Sequence, residues 1–198
     1  MRTERQQELL NAAVNIVAKE GFSRLTIRKV AAAVGVTEPA VYRHFPHKLA
    51  LLTAILEDLQ SAVIPHFQKL AVADGTPEQL VSGFIDGLFS ELTNKPAFAP
   101  LVFSEEAFHS EPQLRPMLLS MMRENLAILG SSFARLQSRG LFRKDIGHEK
   151  MALITMGTIR LTVTRSMLTG RAERLSDQAV DLADTFVHLF SVKEYVVS

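Results

Sequence analysis

Along nearly the whole chain the apolar residues recur at the spacing of one helix face, and no segment sustains the alternation of a half-buried strand. That period restricts the fold class to all-α. The first stripe, Leu10, Ala13, Val14 and Val17, lies in a helix expected over 3–19, opened by Thr3 with Gln6 three residues on and stopped by Gly21. A short helix, IRKVAAAV, follows at 27–34, capped by Thr26 and burying Val30, Ala31 and Val34; Gly35 then tolerates a left-handed backbone. Thr37 is expected to cap a second short helix, EPAVYRHF, whose Pro39 falls in the first turn, where a missing N–H costs no helical bond. A fourth helix is expected at 48–70, after Pro46. Gly75, Thr76 and Pro77 break the pattern, and five further helices are expected at 77–94, 98–109, 112–138, 147–169 and 176–192, the last opened by Ser176.

Charge is distributed unevenly over these helices. Residues 1–50 hold eight Lys or Arg against four Glu, while the remaining 148 hold fourteen basic against seventeen acidic residues. A basic head on a mildly acidic body suits a phosphate-binding module joined to an assembly or sensing module. With 47% apolar and 22% charged residues, the chain has the composition of an ordinary globular protein. It has no Cys, which excludes disulfides, thiolate metal sites and a cysteine nucleophile. The start, MRTERQQELL, lacks an apolar signal core and no later run is long enough to span a bilayer, so a cytoplasmic location is expected.

The stretch 26–52, TIRKVAAAVGVTEPAVYRHFPHKLALL, has the size and punctuation of a helix-turn-helix. Ala31, Ala32 and Ala33 would let the two short helices approach closely, with Val36 and Val41 filling the crossing. Thr37, Glu38, Pro39, Ala40, Tyr42, Arg43 and His44 are then left facing outward, a surface suited to a DNA major groove. Pro39, Ala40 and the Thr37 methyl are small enough to touch thymine methyls; Tyr42, His44 and Lys48 can reach phosphates.

These residues resemble the DNA-binding domain of the TetR family of repressors. The likeness rests on Gly21-Phe22, Thr26, the Ala-rich helix, Gly35-Val36-Thr37, the run from Ala40 to Phe45, and Lys48, all matching in type and spacing. It implies that Tyr42, His44 and Lys48 touch phosphates, that Thr26 and Arg28 assist, and that Thr37, Glu38, Pro39 and Ala40 approach bases. Three features depart from the pattern. His47 stands where a small polar cap is common, and Leu49 and Ala50 where acidic or polar residues are, so the start of the fourth helix is expected to be less tightly fixed. Glu38 stands where a basic residue would also be common, and base reading and a purely capping role both stay open for it.

The resemblance further implies a helix-turn-helix domain at 1–50, a connector at 48–70, and a larger helical bundle at 71–198 for ligand binding and dimerisation. The apolar helix 147–169 and the amphipathic helix 176–192 both need a partner, and a homodimer burying Val180, Ala183, Val187 and Phe190 would supply one. The middle region is rich in Phe and Met. Phe84, Leu88, Phe103, Phe108, Met117, Met121, Met122 and Met156 are candidates for an adaptable apolar pocket, against plain core packing. Arg160 is read first as a structural ion pair and second as an anchor for a ligand carboxylate.

Other polar features carry less. His44 and His47 have a metal-like spacing, but Pro46 interrupts them and no carboxylate joins them, so no metal is expected. His66, His109, His148 and His188 are scattered singles. Glu105-Glu106 and the row Asp177, Asp181, Asp184 read as solvated faces. No catalytic residue and no cofactor is expected. The function expected is that of a sequence-specific regulator bound to operator DNA and released by a small hydrophobic or amphipathic effector. The alternative is an architectural or nucleoid factor without an inducer, with an α-helical enzyme the least favoured.

Overall fold

The computed structural model describes residues 2–95, 98, 111–169 and 175–192. Among these residues there are eight α-helices and no strand: α1 Glu4–Glu20, α2 Ile27–Val34, α3 Glu38–Tyr42, α4 Lys48–Val72, α5 Pro77–Asn94, α6 Arg115–Ser138, α7 His148–Leu168 and α8 Leu175–Phe190. Short 3-10 turns occupy Phe22–Arg24 and Pro112–Leu114. The helix expected over 98–109 lies, from residue 99 on, outside the described residues. No helix among them is long and apolar enough to cross a membrane. The chain forms two compact units, Met1–Ala62 with Lys95–Ser120, and Val63–Asn94 with Met121–Ser198.

In the first unit, α1 opens with the expected capping box: Gln6 N–H donates to Thr3 Oγ1 at 3.2 Å and Thr3 N–H to Gln6 Oε1 at 3.0 Å. Its stripe buries Leu9, Leu10, Ala13, Val14, Ile16 and Val17. Ile27, Val30 and Ala31 of α2 join them, followed by Val41, Phe45 and the Leu51, Leu52 and Ile55 face of α4. At about 1.5–3 kcal/mol for each fully buried large aliphatic or Phe side chain, this core is the main source of the unit's stability. Only Ala31 of the three alanines reaches the crossing. Ala32 and Ala33 are exposed and Val36 is half-buried, because a helix turns only one of three successive residues toward its neighbour. Arg2 ties the start of the chain to α4 through Asp58 and through Glu57, the latter at 2.8 Å.

The second unit is built on α5 and α8. α5 turns Leu80, Val81, Phe84, Ile85, Leu88, Phe89 and Leu92 inward, and α8 meets it with Ala179, Ala183, Phe186, Val187 and Phe190. Phe133, Phe142 and Phe190 stack around one another with centroids 5.6 to 5.9 Å apart. An isolated bridge between Phe142 and Ser191 fastens the α6–α7 loop to the chain after α8, with Arg143 N–H donating to Phe190 O at 2.8 Å. The Gln137 carboxamide, buried beneath that loop, donates to the carbonyls of Arg143 and Ile146 at 2.7 and 2.8 Å. α8 begins at Leu175, one residue before the Ser176 expected to open it.

Candidate nucleic-acid interface

The turn between α2 and α3 is set by two backbone devices. Thr26 Oγ1 accepts the Lys29 N–H at 3.2 Å and so fixes the start of α2. Gly35 ends it at φ 72, a left-handed position that only glycine adopts without strain. The chain then re-enters a helix at Glu38, and Val41 and Phe45 anchor α3 to the core from beneath.

Two expectations about helix starts need correction. Thr37 occupies the N-cap position in extended geometry, but its side chain makes no capping bond. The cause is Pro39: it removes one of the two N–H groups a cap could take, and the other, on Ala40, already donates to the Thr37 carbonyl at 3.0 Å. The start of α4, expected to be loosely fixed, is instead closed by His47, whose Nδ1 accepts the Ala50 N–H at 3.0 Å. Nδ1 is placed along the side chain much as an Asn or Asp oxygen is, and it serves as the same acceptor so long as the proton is on Nε2. α3 is also shorter than expected, ending at Tyr42 with Arg43 as its cap.

This leaves a polar, open face. Thr26, Arg28, Thr37, Glu38, Pro39 and Arg43 are exposed, Tyr42 is 45% exposed, and Ala40, His44 and Lys48 are half-buried. Part of the positive charge of the head lies there. Arg2 pairs with Glu57 and Asp58, Arg5 with Glu8, and Lys29 with Glu20. Arg24, Arg28 and Arg43 have no ion pair among the described residues. Lys48 Nζ lies 3.1 Å from Glu111 Oε1, a partner that nothing in the residue pattern leads one to expect.

The other candidate residues scatter. Phe84 and Leu88 lie in the core face of α5, Phe84 edge-on to Phe67 at 4.9 Å, while Met122 and Arg160 are exposed. Met117, Met121 and Met156 are half-buried. Phe103, Phe108, Glu105, Glu106 and His109 lie outside the described residues. Asp177, Asp181 and Asp184 are exposed. Of the four residues expected at a dimer interface, only Val180 faces outward, at 54% exposure; Ala183, Val187 and Phe190 are buried in their own unit because the α8 stripe is covered by α5. Sequence reasoning read the α7 helix as apolar and in need of a partner but named none of its residues for that contact. Leu153, Leu161 and Leu168 are exposed there at 62, 68 and 84%, on the side opposite the buried Met151, Thr155, Ile159 and Val163.

Residues 9–55, which take in most of α1, all of α2 and α3 and the start of α4, match the bacterial regulatory proteins of the tetR family. Residues 9–55 thus carry a head of the tetR type. Over 70 residues the chain is 36% identical to the nucleoid occlusion factor SlmA of Vibrio campbellii, a match covering 35% of the chain and 36% of that relative. The chain thus aligns with little more than a third of the relative's length. Its fold is similar to that of the transcriptional regulator FadR from Bacillus subtilis in complex with stearoyl-CoA, with a TM-score of 0.80 at 20% identity over 91% of this chain and 97% of that one. It is also similar to the TetR family transcriptional regulator PfmR from Thermus thermophilus, with a TM-score of 0.77 at 16% identity over 91% and 97% of the two chains. At such identities the likeness of these two structures to the chain is one of fold.

Proposed function

We propose that this chain is a sequence-specific transcriptional regulator that binds operator DNA as a homodimer, most simply as a repressor. Residues 1–50 form the DNA-binding domain, 48–70 the connector, and 71–198 the ligand-binding and dimerisation domain. One observation carries the reading: an α3 anchored from below by Val41 and Phe45 presents Thr37, Glu38, Pro39 and Tyr42 to solvent beside arginines that no carboxylate among the described residues neutralises. Thr37, Glu38, Pro39 and Ala40 are assigned to base edges, and Thr26, Arg28, Tyr42, Arg43, His44 and Lys48 to phosphates. Arg28→Ala and Tyr42→Phe then weaken binding to every duplex alike, and Arg28→Ala lowers the log-log salt slope by about 0.9, the value for one phosphate contact. Substituting Ala40 changes which sequence is preferred. Footprinting and salt titration check this, and unaltered affinity in the Arg28 and Tyr42 variants would refute the assignment.

A small hydrophobic or amphipathic effector is the reading for the second domain. The similar FadR fold, solved with stearoyl-CoA, supports it. A coupling of about 1–3 kcal/mol between effector and operator would lower DNA affinity about 5- to 150-fold, and linkage requires DNA to weaken the effector by the same factor. The second reading, a nucleoid factor without an inducer, draws on the SlmA match. A reciprocal effect in calorimetric titrations with and without DNA separates the two. Neither reading calls for enzymatic activity, and both place the protein in the cytoplasm with its DNA.

A further inference from the structure

Lys48 is the first residue of α4, and its backbone is held in place by the His47 cap one residue before it. Its side chain is therefore the part that can change partners. Glu111 faces it from the chain just ahead of the Pro112–Leu114 turn, where Pro112 limits the backbone and Leu114 is 2% exposed, so the carboxylate is presented from an anchored segment. The two side chains retain 30 and 22% of their exposure, and at 3.1 Å they form a direct ion pair sheltered in part from screening by salt.

We infer that Glu111 is an electrostatic competitor for DNA at Lys48, an intramolecular carboxylate occupying the ammonium that a phosphate must take over. This rests on the DNA-binding reading and adds a regulator to it. A phosphate approaching Lys48 meets the negative charge of Glu111 beside the ammonium it seeks, so docking requires Lys48 to exchange one anion for the other. Arg28 and Arg43, without such partners among the described residues, make no exchange. α6 begins four residues after Glu111 and is one continuous helix, with Arg115–Ser120 in the first unit and Met121–Ser138 in the second.

The test is a double-mutant cycle on the full chain, read as affinity for a mixed-sequence duplex at low salt, since a phosphate contact needs no particular sequence. Glu111→Gln keeps the shape and removes the charge, and should tighten binding about two- to five-fold, the range expected of a partly exposed ion pair. Lys48→Met should weaken binding, and in that background Glu111→Gln should have no effect. Glu111→Ala should reproduce the Gln result, and thermal melts identify a variant that fails to fold. Equal tightening with and without Lys48 would show Glu111 acting only as a distant charge, and no tightening at all would show no competition; either overturns this inference and leaves DNA binding intact. A wild-type chain that binds no duplex overturns the DNA-binding reading and this one with it.

Discussion

At Gly87 a side chain of α4 leaves α5 no room for a methyl group. A Cβ there would overlap His66 Nδ1 and lie 2.8 Å from Cε1, while Glu91 stands 3.9 Å from Nε2 on the far side of the ring. Two effects oppose each other in Gly87→Ala. Helix propensity favours alanine by about 0.8–1 kcal/mol, and overpacking costs about 1–3 kcal/mol. With a contact far below 3 Å the second should win, so the variant should lose stability in urea unfolding, and His66→Ala should restore it. Equal destabilisation in both backgrounds would place the strain elsewhere. The sequence marked Gly87 only as a glycine within a helix, since a close approach depends on which side chain the neighbouring helix brings. Cap residues were legible to the same limit. Thr3, Thr26 and Gly35 do what their types imply, because each needs only its own segment. Thr37 does not, since Pro39 and the Thr37 carbonyl leave its side chain no N–H, and His47 does more than its type implies, capping α4 through Nδ1.

Helix α4 ends in a clasp supplied by α6. Arg135 Nη2 donates to the carbonyls of Leu70 and Ala73 at 2.9 and 2.7 Å, and Arg135 and Arg139 both reach Asp74 at 3.7 Å. The last carbonyls of a helix have no intrahelical donor, and a guanidinium satisfies two of them while opposing the negative end of the helix dipole. Arg135→Met should cost about 1.5–3 kcal/mol in chemical denaturation, the value of hydrogen bonds from a charged donor. Arg135→Lys should recover part of that through a single carbonyl; full stability in the Met variant would mean that water serves the carbonyls as well. Among the elements, the positions and types of all eight described helices could be read from period, Gly and Pro. Their partners could not. The stripe on α8 announces that Ala183, Val187 and Phe190 are buried, yet says nothing of whether α5 or another copy of the chain covers them, and the matching stripe on α5 decided it.

For the molecule as a whole, the apolar surface left over lies on α7 and the outer side of α8, at Leu153, Leu161, Leu168 and Val180. These residues replace the buried three as the proposed dimer surface. Leu161→Asp and Val180→Asp should each place an unpaired carboxylate in that contact and convert a dimer to monomer in sedimentation, with melting little changed because neither side chain packs in its own unit. A dimer that persists in both variants would assign the contact to another face. All-α architecture and a basic head were legible from period and charge alone, whereas an effector site was not, since Phe and Met mark apolar volume without saying whether it is filled. The discontinuity of the first unit matters for recombination between relatives. Its two chain pieces, Met1–Ala62 and Lys95–Ser120, are separated in sequence by a stretch of the other unit. A regulator that acquired a new head by a single crossover after α4 would inherit Lys48 from one parent and residue 111 from the other. If Glu111 competes at Lys48 as inferred, a hybrid whose later segment lacks the carboxylate would bind DNA more tightly than the parent that supplied its head.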